Sequence, residues 1–317
     1  MGGRIAPESA DGLLRNRWTT SAGIRTQDAR AAIAACFPEV DSGTVKHLAT
    51  GWEFDVYLTS DGWVFRFPRR DWIAGLFESE RQAHDLVSPV LAPNIAVPRV
   101  ELMGETSESF PYRFAGHRFI SGVSADVVDP RLEAALASEI GTALEAIHSI
   151  PVEEARAAGV VEIDMDEPGR KDWLQRGRDR APELRGVWPA IDPALDWLAG
   201  ISMPIRGYDG PLYVIHGALS AGNLIVEPQT GQLTGILDWT DTTLGDAARD
   251  FASLVTWRGW AFTEEVMRSY HLPIDEDFRD RISFAARVLS TVVLTEAHAH
   301  GMDVAAYISE VRNAFAA

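Results

Sequence analysis

The chain is short of the residues that would place it outside the cell or against a polyanion. It has one cysteine in 317 residues, Cys36, so no internal disulfide can form and a reducing compartment is expected. Lysine is nearly absent, with Lys46 and Lys171 the only two. Asp and Glu outnumber Lys and Arg by 46 to 29, a net charge of −17 that argues against nucleic acid or an anionic membrane as partner. A cationic small molecule suits that charge better. No unbroken apolar run approaches the roughly 20 residues of a membrane span. The opening MGGRIAPESADGLL lacks the apolar centre of a signal peptide, and its Met-Gly start lacks the Ser or Thr at position 6 that lipidation requires. The cytoplasm is the expected location. Gly-x4-Gly-Lys-Ser/Thr is missing throughout, so there is no P-loop. Internal repeats, low-complexity tracts and heptads are missing too. What remains is a 46% apolar, globular composition, long enough for one large or two medium domains.

The most informative stretch is Tyr213 to Leu254, YVIHGALSAGNLIVEPQTGQLTGILDWTDTTLGDAARDFASL. Leu212 to Ile215 reads as a short strand that empties into His216-Gly217 and a polar loop ending at Asn223. Leu224 to Val226 is a second strand. Glu227 to Thr234, with Pro, Gly and Gln, is a hairpin turn, and Gly235-Ile236-Leu237 returns to deliver Asp238. An Asn and an Asp at neighbouring strand tips can share one hard cation through oxygen. Mg²⁺ takes one or two protein oxygens in this way, with substrate phosphates and waters completing an octahedron. The plain alternative is a β-hairpin whose polar loop merely turns the chain.

This stretch resembles the catalytic core of the aminoglycoside and macrolide phosphotransferases, small-molecule kinases with a protein-kinase-like fold. Their loop reads His-Gly-Asp-Leu, three or four residues, then Asn, with a hydrophobic-Asp strand end following. His216, Gly217, Leu219, Asn223 and Asp238 fall at the matching positions. Ala218 departs: it stands where the family carries its catalytic Asp, which accepts or orients the proton of the attacking hydroxyl. The resemblance implies an α+β, two-lobed fold, with a five-stranded antiparallel N-terminal sheet and a mostly helical C-terminal lobe. It divides the chain into a nucleotide-binding lobe at 1–120 and a lobe at 121–317 that carries the catalytic loop and acceptor pocket.

Before that stretch, residues 24–37 read as a helix with Thr26 as N-cap. Thr44 to Leu48, Asp55 to Leu58 and Trp63 to Phe67 read as strands, the last two joined by the tight turn Thr59-Ser60-Asp61-Gly62. A kinase needs a cation on the third strand to hold the α- and β-phosphates, and a Glu on the next helix to position it. Neither lysine fits, but Arg66, in mid-strand, does. The helix at about 71–87 offers Glu78 and Glu80, and the resemblance of ESERQAHDLV to the family's helix favours Glu80. The other reading of Arg66 is a solvated strand residue. Residues 95–103 and 111–120 complete the expected sheet. In the family the nucleobase stacks beneath the strand end that runs into Ser121-Gly122, which points to Phe119 and Ile120, with Phe119 as core the competing reading.

Asp129-Pro130 is expected to start a long helix that ends at His148, a histidine with a structural role in the family. Residues 152–210, with Trp173, Trp188 and Trp197, form one wall of the acceptor pocket in such kinases. Phe251 to Val255, Glu264 to Tyr270, Asp277 to Ala297 and residues 303–315 read as further helices. His298 and His300 are two apart and diverge on a helix, so a zinc site is not expected.

By resemblance, Asn223 and Asp238 hold Mg²⁺, Arg66 braced by Glu80 holds the α/β-phosphates, and His216 pins the loop. Asp246 or Asp250 braces that loop, or else caps a helix. The donor is GTP or ATP, with GTP favoured. Asp238-Trp239-Thr240-Asp241 is similar to the macrolide kinases, which phosphorylate the 2′-hydroxyl of a dimethylamino sugar. Asp241 could attract that amine, or be a solvated loop residue. Aminoglycosides, choline or a sugar are the alternative acceptors, and a non-catalytic drug-binding pseudokinase is the alternative function. A monomer is expected. With Ala218 the chain reads as an active enzyme's impaired variant, as a natural pseudokinase, or as an enzyme in which a nearby acid such as Asp241 substitutes.

Overall fold

The computed structural model describes residues 23–162, 174–175, 177–201 and 208–316. Strands β1 (Lys46–Thr50), β2 (Phe54–Leu58), β3 (Trp63–Pro68), β4 (Leu102–Gly104) and β5 (Phe114–Arg118) form an antiparallel sheet in the order β1-β2-β3-β5-β4. Register explains its two faces. Val56 pairs with Arg66 and Arg66 with Ala115, while Tyr57 pairs with Phe65. Side chains alternate across a strand, so Tyr57, Trp63, Phe65, Phe67 and Phe114 share one face. They pack beneath Ala29, Ala32 and Ile33 of α1 (Thr26–Cys36). The opposite face presents Phe54, Val56 and Ala115 to Ile73 and to Phe77 of α2 (Leu76–Val87). Arg66 and Glu80 lie within that second layer, buried at 8% and 0% exposure.

The larger core lies in the C-terminal part. Helix α3 (Glu133–His148) packs there against α6 (Ala248–Met267), after α4 (Val152–Ala157) and α5 (Asp192–Gly200). Helices α7 (Phe278–Ala299) and α8 (Ala305–Phe315) complete it. Two small antiparallel ladders sit on this base. Strand β7 (Tyr213–Ile215) pairs with β10 (Thr243–Gly245), and β8 (Leu224–Val226) lies between β6 (Val123–Ser124) and β9 (Leu233–Ile236). Leu224, Val226, Leu233 and Ile236 point down into the core, and Ile225, one residue out of phase, is half-buried on the other side. The Ala96 segment joins β9 through Ala96 N–H to Thr234 O (2.8 Å) and Ile236 N–H to Ala96 O (3.0 Å).

Several boundaries differ from the sequence reading for local reasons. The first strand starts at Lys46 because Ser42–Thr44 is a 3-10 helix. Thr26 is the first helical residue of α1, and the cap position is Arg25, with no side-chain cap. The expected 95–103 strand shrinks to Leu102–Gly104: Pro98 has no N–H for a ladder, and Ala96 pairs with Gly235 instead. Pro130–Leu132 is a 3-10 helix capped by Asp129, so α3 begins only at Glu133. The two helices expected between Phe251 and Tyr270 are one helix, kinked at Gly259 where φ is 76°. Trp188 and Trp197 pack against the cluster built on Leu184, Leu195 and Leu198. Trp173 lies outside the described residues.

Candidate active site

Arg66 and Glu80 form a buried fork. Arg66 Nη1 donates to Glu80 Oε1 at 2.9 Å and Nη2 donates to Oε2. The guanidinium also lies 5.2 Å from the Phe54 ring and 5.5 Å from the Phe77 ring. Burial pulls the Arg66 pKa down, but the charge and hydrogen bonds of Glu80 more than offset it. Asp238 and Glu53 add to that effect, so the charged form is held firmly. The Asp238 contribution places the second lobe's carboxylate within electrostatic reach of the first lobe's cation. Arg66 Nε is buried and without a hydrogen-bond partner among the described residues.

The turn from β1 to β2 is braced from three sides by Asp55. It accepts from Ile24 N–H (3.1 Å), Thr50 Oγ1 (2.8 Å) and Arg69 Nη1 (3.0 Å). Trp52, at the tip of this turn, meets His300 of the C-terminal helices edge-on, with ring centroids 6.1 Å apart. Sequence reasoning missed this contact. The motif text gave no sign that the turn crosses to the other lobe.

The loop from β7 to β8 is held by its own backbone. His216 is fully buried; its N–H donates to Asp250 Oδ2 (2.9 Å), and Gly217 N–H donates to Oδ1 (2.8 Å). His216 Nε2 lies 2.9 Å from Leu237 O, while Nδ1 accepts from Ala218 N–H at 3.3 Å. A carbonyl only accepts, so the ring is the neutral tautomer with its proton on Nε2. Trp239 covers that ring at 4.6 Å. Gly217 has φ 84°, and a Cβ there would sit 2.4 Å from Asp241 O, so only glycine fits. Burial alone would raise the Asp250 pKa. The hydrogen bonds from His148 Nε2 (3.1 Å) and from the Gly217 amide hold it below the ordinary carboxylate value instead. Tyr270 OH, 2.9 Å from His148 Nδ1, completes the buried chain. The structure thus separates the two acids that the sequence left open. Asp250 braces the loop, and Asp246 accepts from Ala248 N–H (3.1 Å) and pairs with Arg281 (2.7 Å).

Asn223 and Asp238 emerge side by side, because Leu237 N–H donates to Asn223 O at 2.7 Å. Asn223 Nδ2 is committed to Ala218 O (3.0 Å), which leaves Oδ1 as its oxygen for a cation. Asp238 is the only non-glycine with positive φ among the described residues, at 62°. That backbone turns the residue off the β9 direction, and strain of this kind collects at working sites. Asp238 Oδ1 accepts from Thr240 Oγ1 at 2.7 Å. Among the described residues no three His, Cys, Asp or Glu side chains converge on a metal position. An Asn and an Asp suit a cation whose other ligands are phosphate and water. Asp241 is half-buried, its carbonyl packed over Gly217. Ala218 is half-buried.

The structure therefore pairs Arg66 with Glu80, ties His216, Ala218 and Asn223 into one loop beside Asp238, and links the two groups through the effect of the Asp238 charge on Arg66. Phe119 and Ile120 lie further along. Phe119 is 43% exposed, and both line a recess of about 430 Å³ with the Ala96–Arg99 segment and Thr234. Arg66, Asn223 and Asp238 are not part of its lining.

A five-stranded antiparallel lobe with a buried Arg–Glu pair, set over a helical lobe with an Asn/Asp strand-tip pair, is the protein-kinase-like fold of a phosphotransferase. The match to known sequences agrees: residues 44–281 fit the phosphotransferase enzyme family APH, and the chain belongs to it. Solved structures share the fold. One is the GDP complex of wild-type aminoglycoside 2'-phosphotransferase-IIIa, at 22% identity over 92% of this chain and 97% of that one, with TM-score 0.69. Another is a macrolide 2'-phosphotransferase type I, at 20% identity over 94% and 100%, with TM-score 0.63. A third is the apoenzyme of macrolide 2'-phosphotransferase MphH from Brachybacterium faecium, at 20% identity over 92% and 98%, with TM-score 0.59. Among the described residues no helix is long and apolar enough to cross a membrane.

Proposed function

We propose that the chain binds a Mg²⁺-nucleotide between its lobes and is a macrolide kinase built to phosphorylate the amino-sugar 2′-hydroxyl, impaired by Ala218. What supports the reading is the buried Arg66–Glu80 fork, the adjoining Asn223 and Asp238 at one hydrogen-bonded loop, and the Asp238 charge acting on Arg66. In this reading residues 1–120 hold the nucleotide and 121–317 present the acceptor, in a cytoplasmic monomer that uses GTP or ATP. Arg66 holds the α/β-phosphates, and Asn223 Oδ1 and the Asp238 carboxylate hold the metal ion. When bound, Mg²⁺ supplies charge neutralisation on the transferring phosphoryl group. His216 and Asp250 keep the loop at fixed distance from those phosphates. Asp241 attracts the substrate's ammonium group.

Ala218 cannot take or orient the hydroxyl proton. A positioned base contributes ~10²–10⁴-fold, so the chain binds both ligands and turns them over slowly. The sequence keeps Arg66, Glu80, Asn223 and Asp238 at the other expected positions, which supports an otherwise complete enzyme with one substituted residue over a decayed pseudokinase. The test is Ala218→Asp, assayed against erythromycin-type macrolides and aminoglycosides with GTP and with ATP. Macrolide-dependent nucleotide turnover should rise by orders of magnitude. Turnover on aminoglycosides alone would move the acceptor assignment, and no gain with any acceptor would remove the kinase reading.

A further inference from the structure

Strand β5 carries a histidine that the phosphate-holding residues do not touch. His117 is 6% exposed and pairs with Val64, two residues along from the Ala115–Arg66 pair. Two residues along a strand keep the face and advance about 6.6 Å. His117 therefore shares Arg66's face of the sheet, displaced toward Phe119 and Ile120. Its Nδ1 lies 2.9 Å from the Arg118 carbonyl, which can only accept, so Nδ1 carries the proton. A second proton is excluded: burial first, and then the Arg66 charge, push the His117 pKa down to about 3. Nε2 is then a bare acceptor at neutral pH. No described residue donates to it, and it is not among the polar atoms that are both sealed and unpaired. An acceptor buried in a neutral, tautomer-locked ring needs a donor from outside the protein.

We propose that His117 Nε2 reads the nucleobase, accepting an N–H from the base edge and so selecting purines that carry a donor there. This rests on the nucleotide-binding reading above. With the phosphates at Arg66 and Asp238, the base lies one ribose further along the cleft, the direction in which His117 is displaced. The Phe119 amide is already used, donating to Gly62 O at 2.9 Å. A base edge with only acceptors would face Nε2 lone pair to lone pair and leave it unpaired.

The experiment measures dissociation constants of ADP, GDP and purine riboside 5′-diphosphate, in Mg²⁺, for the unaltered chain, His117→Leu and His117→Gln. Purine riboside keeps the phosphates and ring but has no base N–H. The unaltered chain should bind ADP or GDP about tenfold more tightly than purine riboside diphosphate. His117→Leu should abolish that gap by weakening the N–H-bearing nucleotide while leaving purine riboside diphosphate unchanged. His117→Gln, which restores an acceptor oxygen, should recover part of it. A gap that survives His117→Leu, or no gap in the unaltered chain, overturns the proposal. Failure of the unaltered chain to bind all three overturns the nucleotide reading itself.

Discussion

Asp250→Asn tests whether one buried carboxylate fixes the loop that carries Ala218. The carboxylate accepts three hydrogen bonds, from His216 N–H at 2.9 Å, Gly217 N–H at 2.8 Å and His148 Nε2 at 3.1 Å. Oδ2 takes two of them and Oδ1 takes one, so the least costly amide orientation places the new NH₂ against Gly217. That bond is lost, two N–H groups face each other, and the other two bonds lose their charge assistance. Hydrogen bonds to a charged group are worth about 1.5–3 kcal/mol, and an unsatisfied buried donor costs about 1–3 kcal/mol. The sum is roughly 3 kcal/mol, a large share of the 5–15 kcal/mol that holds a folded chain. At 317 residues, with an unfolding entropy of about 2.1 cal/mol/K per residue, it should lower the thermal midpoint by roughly 4–5 °C.

The sign with pH is fixed by the same residue. The Asp250 pKa lies below its ordinary value. Its contribution is therefore fully present above the unfolded carboxylate pKa of about 3.9, and is lost only as pH falls toward the lower folded value. Differential scanning fluorimetry of both proteins from pH 3.5 to pH 8 reads this directly. The gap in midpoint should stay constant from pH 5 to pH 8 and narrow below about pH 4. A gap under about 2 °C at neutral pH, or one already closing between pH 7 and pH 5, would refute the assignment of Asp250 as the loop's anchor.

Glu80→Ala strands the buried Arg66 guanidinium and should cost about 3–5 kcal/mol, since breaking a buried pair leaves an uncompensated charge; chemical denaturation would read it, and a loss below about 1 kcal/mol would show the pair to be dispensable. Gly217→Ala forces a Cβ against Asp241 O at a φ of 84° and should cost on the order of 2 kcal/mol or more; an unchanged midpoint would mean the loop sits elsewhere in solution. Glu310 is pushed up to about 7 by burial and then by Asp126. A raised folded pKa means stability that is present at low pH and lost as pH rises through 7. Glu310→Gln should therefore gain midpoint over the unaltered chain between pH 5 and pH 8, and a flat difference would place that carboxylate in open solvent.

The local half of this site could be read from the sequence because its spacing is local. His216, Asn223 and Asp238 lie on one hairpin, and apolar runs of two and three residues set which side chains point into the core and which do not. The Arg66–Glu80 pair was also accessible, because a strand followed by a helix leaves few partners for a cation in mid-strand. Contacts between distant segments were not. Trp52 meets His300 across the lobes, His148 reaches Asp250 over 102 positions, and His117 feels Arg66 only through strand pairing. No periodicity encodes such distances. The 95–103 strand misled for the opposite reason: its apolar residues suit a ladder, but Pro98 denies it a donor.

The loop's geometry does not depend on the side chain at position 218. Ala218 O is held by Asn223 Nδ2 at 3.0 Å and by Ser220 N–H at 2.8 Å, and its amide reaches His216 Nδ1 at 3.3 Å. Every one of these contacts uses backbone atoms of residue 218. Asp250 grips only the two preceding amides, and Gly217's positive φ is set by the passage of Asp241. A methyl group here therefore removes chemistry and leaves position untouched. On the proposed reading, absence of an acid at 218 and integrity of the loop are physically separable, because every contact that fixes the loop there is made by backbone atoms.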